Sequence, residues 1–167
     1  MNSILEVKNY LIKTECSDIL NIMNQTEFDN DRQPSHWVDS IKRIKFPEHL
    51  INAVTLDLQN TVQTFYKVKF KKQHNLHTVV WNTGKSMLPW HIDYGAKLEF
   101  PERDYVSLIY LNDDYEGGEL SVPSLNFEKK PERGTLISFR GGDTPHAVKT
   151  INSGTRYTII CWWNLKD

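Results

Sequence analysis

Residues 134–163 read GTLISFRGGDTPHAVKTINSGTRYTIICWW. Three runs of strand length lie in this stretch, 134–139, 145–150 and 155–163, rich in Ile, Val, Thr and aromatic residues. Turn chemistry separates them: Gly141-Gly142-Asp143 after the first and Asn152-Ser153-Gly154 after the second. The pattern extends backward through strand-like segments at 76–82, 88–94, 105–111, 118–122 and 125–129. Asn82-Thr83-Gly84, Asn112-Asp113-Asp114, Gly117-Gly118 and Arg133-Gly134 punctuate them. Many short strands in succession predict a double-sheet jelly roll, a barrel with an open mouth in which a metal can sit.

The first half reads differently. Residues 15–24 place Ile19, Leu20 and Met23 at helical spacing, with Ser17 as the cap. Gln25 to Trp37 is mostly polar and reads as an exposed loop. Pro47 opens a second helix along Leu50, Ile51, Val54, Leu58, Val62 and Phe65. From Tyr66 the period becomes two, Val68 and Phe70 alternating with Lys67, Lys69 and Lys71, which predicts a strand with a solvated lysine face. The expected fold class is mainly β (α+β), with helices supporting a jelly roll. One domain over 1–167 is expected, its supporting helices and strand in 1–75 and its jelly-roll core in 76–163.

Bulk properties exclude several classes. A net charge of −1 gives no basic field for nucleic acid. No run approaches membrane-spanning length, and Met1 to Asn9 lacks the basic and apolar parts of a signal peptide. Only Cys16 and Cys161 occur, far apart, which suits a reducing cytoplasm. The expectation is therefore a cytoplasmic protein, monomer or small homo-oligomer, with neither nucleic-acid nor membrane partners.

The chemistry concentrates at His91-Ile92-Asp93. Residues i and i+2 of a strand face the same way, so His91 and Asp93 can reach one metal, and His146 supplies a third ligand from a distant strand. Two imidazoles and one carboxylate hold non-haem Fe(II) on one octahedral face and leave the rest open. Arg156 offers a bidentate fork to a carboxylate near that metal. A lone His-x-Asp is ordinarily surface polarity; its coupling to His146 and Arg156 carries the reading. His36, His49, His74 and His77 read as surface or structural residues, and Cys161 as a buried thiol facing away from the site. Met87, Leu88, Pro89 and Trp90 before the motif, and Tyr94 to Arg103 after it, read as rim and lid.

Six ordered pieces resemble a known family: His91-Ile92-Asp93, Tyr110-Leu111-Asn112-Asp113, Gly117-Gly118-Glu119-Leu120, Pro131 with Gly134-Thr135-Leu136-Ile137-Ser138-Phe139, Pro145-His146 with Val148, and Gly154-Thr155-Arg156-Tyr157. They resemble the Fe(II)- and 2-oxoglutarate-dependent dioxygenases, specifically the prolyl 4-hydroxylase-like branch. The resemblance implies a double-stranded β-helix, preceded by a short strand, a helix beginning near Cys16 and a long supporting helix. It implies Fe(II) on His91, Asp93 and His146, with 2-oxoglutarate and O2 as co-substrates and ascorbate as a further family requirement. It places the distal carboxylate of 2-oxoglutarate on Arg156 and Tyr110, a hydroxyl of Thr158 beside Arg156, and Val148 against the co-substrate chain. Trp162 would wall the pocket near the metal. Trp81 stands where related hydroxylases commonly show a tyrosine, and its indole donates only.

The implied activity is hydroxylation of an unactivated C–H, foremost of a prolyl residue in a peptide or protein, with release of succinate and CO2. A free amino acid or small metabolite is the alternative substrate. A non-catalytic jelly-roll binding module is the alternative of a different class. Asp93 argues against a halogenase, and the absence of a His-x-His pattern argues against a cupin-like metal site.

Overall fold

The computed structural model describes residues 3–31, 39–71, 75–84, 89–93 and 103–166. Its elements run β1 (Leu5–Val7), α1 (Lys13–Gln25), β2 (Ile41–Lys42), α2 (Leu58–Tyr66), β3 (Asn75–Asn82), β4 (Tyr105–Tyr110), β5 (Glu116–Gly117) and β6 (Leu120–Val122). They continue through β7 (Phe127–Lys129), β8 (Leu136–Phe139), β9 (Ala147–Val148), β10 (Ile151–Ser153) and β11 (Thr155–Trp163). The major sheet has the order β1-β8-β4-β11-β3-β2 and is antiparallel throughout. A three-stranded ladder, β7-β6-β9, and a short pair, β10-β5, form the smaller layer. This is the mainly β, helix-supported jelly roll expected, a fold that closes its ladders around a mouth.

Strand β11 is the spine, pairing with β4 on one side and β3 on the other. Its alternation sorts side chains between two cores. Ile159, Cys161 and Trp163 face the helices, while Ile160 and Trp162 face the smaller layer. Strand β4 does the same, with Tyr105 and Ile109 toward the helices and Val106, Leu108 and Tyr110 toward the interior. Both faces are covered, so every β4 residue is buried and the strand reads as an apolar run interrupted only by Ser107, whose hydroxyl is hydrogen-bonded to Ser138.

The helical half departs from the sequence reading in three places. Helix α1 starts at Lys13, and Ser17 is not its cap. Ser17 lies inside the helix, where its hydroxyl donates to Lys13 O (3.0 Å) and accepts from Arg133 (2.6 Å). The Glu15 carboxylate reaches back to the Ile12 N–H instead (2.8 Å), satisfying one of the amides that a helix start leaves open.

In the second helical segment the buried side chains are Leu50, Val54, Leu58, Val62 and Tyr66, while Ile51 and Phe65 are exposed. A strict four-residue step drifts about 40° per step on an α-helix, because four residues turn roughly 400°. A short 3-10 turn (Glu48–Leu50) and a π turn (Ala53–Asp57) precede α2. The wider π turn takes up much of that drift and keeps one stripe on the core.

The strand expected from Tyr66 is absent. Helix α2 runs through Tyr66, whose hydroxyl donates to Ser138 O (2.6 Å), and Lys67 closes the helix in the left-handed region (φ 55°). Phe70 forms only an isolated bridge to Leu165. Burial of Tyr66 and Phe70 in the helix-side core overrides the two-residue period. Other differences are of extent: 118–122 contracts to β6, 145–150 contracts to β9, and β2, β5 and β10 are additions.

Leu58 is fully buried on the stripe that fixes the helices to the sheet. Leu58→Ala should lower unfolding free energy by about 2–5 kcal/mol, from lost transfer energy and the cavity left behind. Urea titration checks this; a loss below about 1 kcal/mol would mean that the stripe does not anchor the helices.

Candidate metal centre and anion pocket

Two chain segments meet to build the metal centre. His91 and His146 form an isolated antiparallel bridge, each amide donating to the other's carbonyl at 3.1 and 3.0 Å. The Asp93 amide donates to Gly141 O (2.9 Å), tying the same segment to the turn after β8. The bridge explains why the strand expected over 88–94 is so short: among described residues only His91 pairs. It also brings the imidazoles together, with ring centroids 4.2 Å apart.

Each ring is held in one tautomer. The Nδ1 of His91 lies 2.8 Å from Pro89 O, and that of His146 lies 2.9 Å from Thr144 O. A carbonyl only accepts, so Nδ1 carries the proton and Nε2 presents a lone pair. The two Nε2 atoms stand 3.9 and 3.8 Å from the Asp93 carboxylate oxygens, too far for hydrogen bonds. Ligand atoms from all three residues lie within 4.8 Å of one another. Burial pushes the His146 pKa down, against the upward pull of Asp93, and favours the neutral imidazole that binds metal. Asp93 Oδ2 is buried without a hydrogen-bond donor. A buried carboxylate oxygen left so is costly, and a divalent cation on this donor set removes that cost. The residues therefore fit a non-haem iron.

Gly141 shapes this centre, and sequence reading took it only as a turn residue. A Cβ there would lie 2.1 Å from Asp93 Oδ2 and 2.9 Å from Val106 Cγ1. Its backbone is not in the left-handed region, so space rather than conformation requires glycine. Pattern alone does not separate this role from an ordinary turn glycine.

Arg156, on β11, is only 1% exposed. Its guanidinium donates to the Tyr110 hydroxyl (3.1 Å) and lies 4.9 Å from that ring's centroid. Its Nε is buried without an acceptor, and no ion pair to Arg156 forms among the described residues. A buried guanidinium without a carboxylate calls for an anionic ligand. The cleft holding this group is lined by His91, Asp93, His146, Trp81, Val148, Arg156 and Trp162, with Val106, Leu108, Leu120 and Ile160 completing its apolar walls. Seven of the nine expected site residues thus face one cavity. The other two, Tyr110 and Thr158, stand opposite each other in the β4–β11 register; the Tyr110 hydroxyl meets the Arg156 guanidinium, and the Thr158 hydroxyl is buried without a partner.

Other expected residues resolve as follows. Cys161 is buried, outside any disulfide and on the helix side. Trp90 is 59% exposed and Ile92 is also exposed, flanking His91 at the rim. His36, His74, Met87, Leu88 and 94–102 of the lid lie outside the described residues. Arg103, where that segment ends, stacks its guanidinium 4.2 Å from the Trp162 ring. His49 is exposed beside Asp18, whereas His77 packs edge-on against Trp162 with centroids 5.5 Å apart. A wider cleft of about 270 Å³ opens beside β2 and β3, but its cations are committed, Lys42 to Met23 O (2.6 Å) and Arg43 to Asp29. No helix among the described residues is long and apolar enough to cross a membrane.

A jelly roll with a His-Asp-His centre and a buried arginine in one cleft defines a metal-dependent oxygenase site. The family model of the 2OG-Fe(II) oxygenase superfamily matches residues 75–164, and the chain belongs to that superfamily; its cofactors are Fe(II) and 2-oxoglutarate. Among curated proteins it resembles Prolyl 3-hydroxylase 2 of Homo sapiens, 41% identical over 69 residues, which is 38% of this chain and 10% of that protein. Prolyl 3-hydroxylase 1 of Gallus gallus is 38% identical over the same length. The chain spans about a tenth of the length of these relatives.

Among solved structures it resembles the viral collagen prolyl hydroxylase of Paramecium Bursaria Chlorella virus-1 (TM-score 0.74, 19% identity, 98% of this chain and 90% of that one). A Pseudomonas putida prolyl-4-hydroxylase gives TM-score 0.72 at 13% identity, covering 100% of this chain and 95% of that one. A prolyl hydroxylase of Trichoplax adhaerens, solved with a hypoxia inducible factor peptide, gives 0.69 at 16%, covering 98% and 84%. At these identities the structural likeness bears on the fold.

Gly141→Ala should weaken Mn(II) or Co(II) binding by at least about tenfold, since the new methyl displaces a ligand oxygen. In an Asp93→Ala background the same change should cost little stability, because the clashing carboxylate is gone. Calorimetric metal titration and paired urea melts check this; unaltered metal affinity would remove the steric argument.

Burial first, then Arg103 and Arg43, lower the His77 pKa to about 4. The unfolded chain therefore takes up this proton first as pH falls below about 6.5, and the native state loses stability down to about pH 4. His77→Gln should flatten the stability profile across that window by on the order of 2 kcal/mol. Urea midpoints against pH check this; parallel profiles for both proteins would refute it.

Proposed function

We propose that this protein hydroxylates prolyl residues of a peptide or protein, using Fe(II), 2-oxoglutarate and O2. The observation that carries the reading is the buried Arg156, without a carboxylate partner among the described residues, in the same cleft as the His91, Asp93 and His146 cluster. His91 and His146 hold iron through Nε2, and Asp93 through its carboxylate. Arg156 and Tyr110 fix the far carboxylate of 2-oxoglutarate, with the Thr158 hydroxyl beside them and Val148 against its chain. The loaded centre supplies the oxidation that yields succinate, CO2 and a hydroxylated product. The residues position the two co-substrates and keep the reacting carbon in an apolar cavity between Trp81 and Trp162.

The prolyl substrate is supported by the sequence likeness to prolyl 3-hydroxylases and by the exposed Trp90 next to His91. Aromatic surfaces suit the rigid, extended backbone of proline-rich peptides. The expected cytoplasmic setting is supported by two buried thiols, Cys16 and Cys161, that form no disulfide.

Purified protein with Fe(II), ascorbate and air should form succinate from 2-oxoglutarate, stimulated by proline-rich peptides. Amino-acid analysis of the peptide then distinguishes 3- from 4-hydroxyproline. Stimulation by free amino acids alone would replace the peptide reading with the small-molecule one. Asp93→Ala should abolish coupled turnover with the fold intact by circular dichroism. Arg156→Ala should raise the 2-oxoglutarate requirement by more than about 30-fold, the loss of a buried charged pair. Full turnover in Asp93→Ala, or an unchanged co-substrate requirement in Arg156→Ala, would sink the respective assignment.

A further inference from the structure

We infer that Tyr115 is a further binding residue, donating its hydroxyl hydrogen to the carboxylate that Arg156 holds. The inference rests on the reading of this site as a 2-oxoglutarate pocket. Tyr115 lies in the turn between β4 and β5, buried in the same interior core as Tyr110 and Trp162. Its hydroxyl is buried and makes no aligned hydrogen bond. The guanidinium of Arg156 stands beside it, pulling its pKa down against the larger upward push of burial.

Hydrogen-bond arithmetic points to the missing partner. A guanidinium only donates, so Arg156 can satisfy the lone pairs of a phenol but never its hydrogen. Tyr110 accepts from Arg156 and keeps its own hydrogen available. The Nε–H of Arg156 and the hydroxyl of Thr158 are likewise without partners. Three hydroxyls, of Tyr110, Thr158 and Tyr115, and the Nε–H of the buried cation itself thus each carry a hydrogen for which the described residues supply no hydrogen-bonded acceptor. A carboxylate presents about four lone-pair sites and accepts only, so it answers this set, whereas an amide brings donors of its own.

The ring of Tyr115 is held in place. Lys130 lies 5.0 Å from its centroid and donates to the carbonyls of Tyr115 (2.6 Å) and Asp113 (3.1 Å). Gly118 lies against the ring at φ +69°, where a Cβ would meet Ile151 Cδ1 at 2.4 Å, Tyr115 Cε2 at 3.1 Å and Arg156 Cδ at 3.4 Å. The second glycine of the Gly117-Gly118 pair thus leaves room for Tyr115 and Arg156 to approach each other, a demand of the anion pocket as well as of the turn.

Tyr115→Phe removes the hydroxyl and keeps the ring. Mn(II)-loaded protein, titrated anaerobically with 2-oxoglutarate in a calorimeter, should bind it about tenfold more weakly in this variant, the loss of one charge-assisted hydrogen bond. Mn(II) affinity should not change, and the ligand-free variant should melt at or above the wild-type temperature, because an unsatisfied buried group has been removed. Co-substrate affinity within twofold of wild type, or a loss of ligand-free stability, would overturn the inference and make Tyr115 a packing residue. Arg156→Ala separates the two levels. If wild type binds and Arg156→Ala does not, the pocket reading holds whatever Tyr115→Phe shows. If wild type binds no 2-oxoglutarate, both fall together.

Discussion

The reciprocal backbone hydrogen bonds between His91 and His146 are the constraint on which the metal centre depends. They are an isolated bridge, outside the long ladders, yet they fix the relative position of two segments far apart in the chain. Each imidazole is then oriented by a carbonyl two residues before it, Pro89 for His91 and Thr144 for His146. The Asp93–Gly141 bond extends the same pairing to the third ligand. Orientation comes from main chain, which side-chain substitution elsewhere does not remove. The arrangement still needs an absent side chain at Gly141, because the carboxylate occupies that space.

The second organising element is β11. As the inner strand shared by β3 and β4, it places Arg156 opposite Trp81 and Thr158 opposite Tyr110. Its outward residues join the helix-side core, where Trp163 stacks on Phe70 and donates to Ser107 (2.8 Å). One strand therefore anchors the helices by one face and presents the buried Arg156 by the other. A one-residue slip would exchange the two sets, so the packing that stabilises the fold also sets the register of the site.

The sequence was most legible where chemistry and period coincide. His91, Asp93, His146 and Arg156 stood out by residue type, the first two also by two-residue spacing. The strand bearing Arg156 matches its expected span, whereas His91 and His146 meet in an isolated bridge rather than in strands. It was least legible at Ser17, Tyr66 and Phe70. There a cap preference and an alternation gave way to contacts with distant residues, Arg133 for Ser17 and Ser138 for Tyr66. Gly141 and Tyr115 were invisible as site residues. A glycine in a turn and a tyrosine near one carry no signal of what lies across from them.

By itself the sequence determined the class of fold, the His-Asp-His set that gathers in one cluster and the arginine that shares its cleft, because strand period and side-chain chemistry are local properties. The tertiary structure decided which tautomer each histidine holds, which glycine yields space to a ligand oxygen, and which hydroxyls gather around Arg156. Those depend on distances between segments remote in the chain, set by how the sheets pair and how tightly the interior packs.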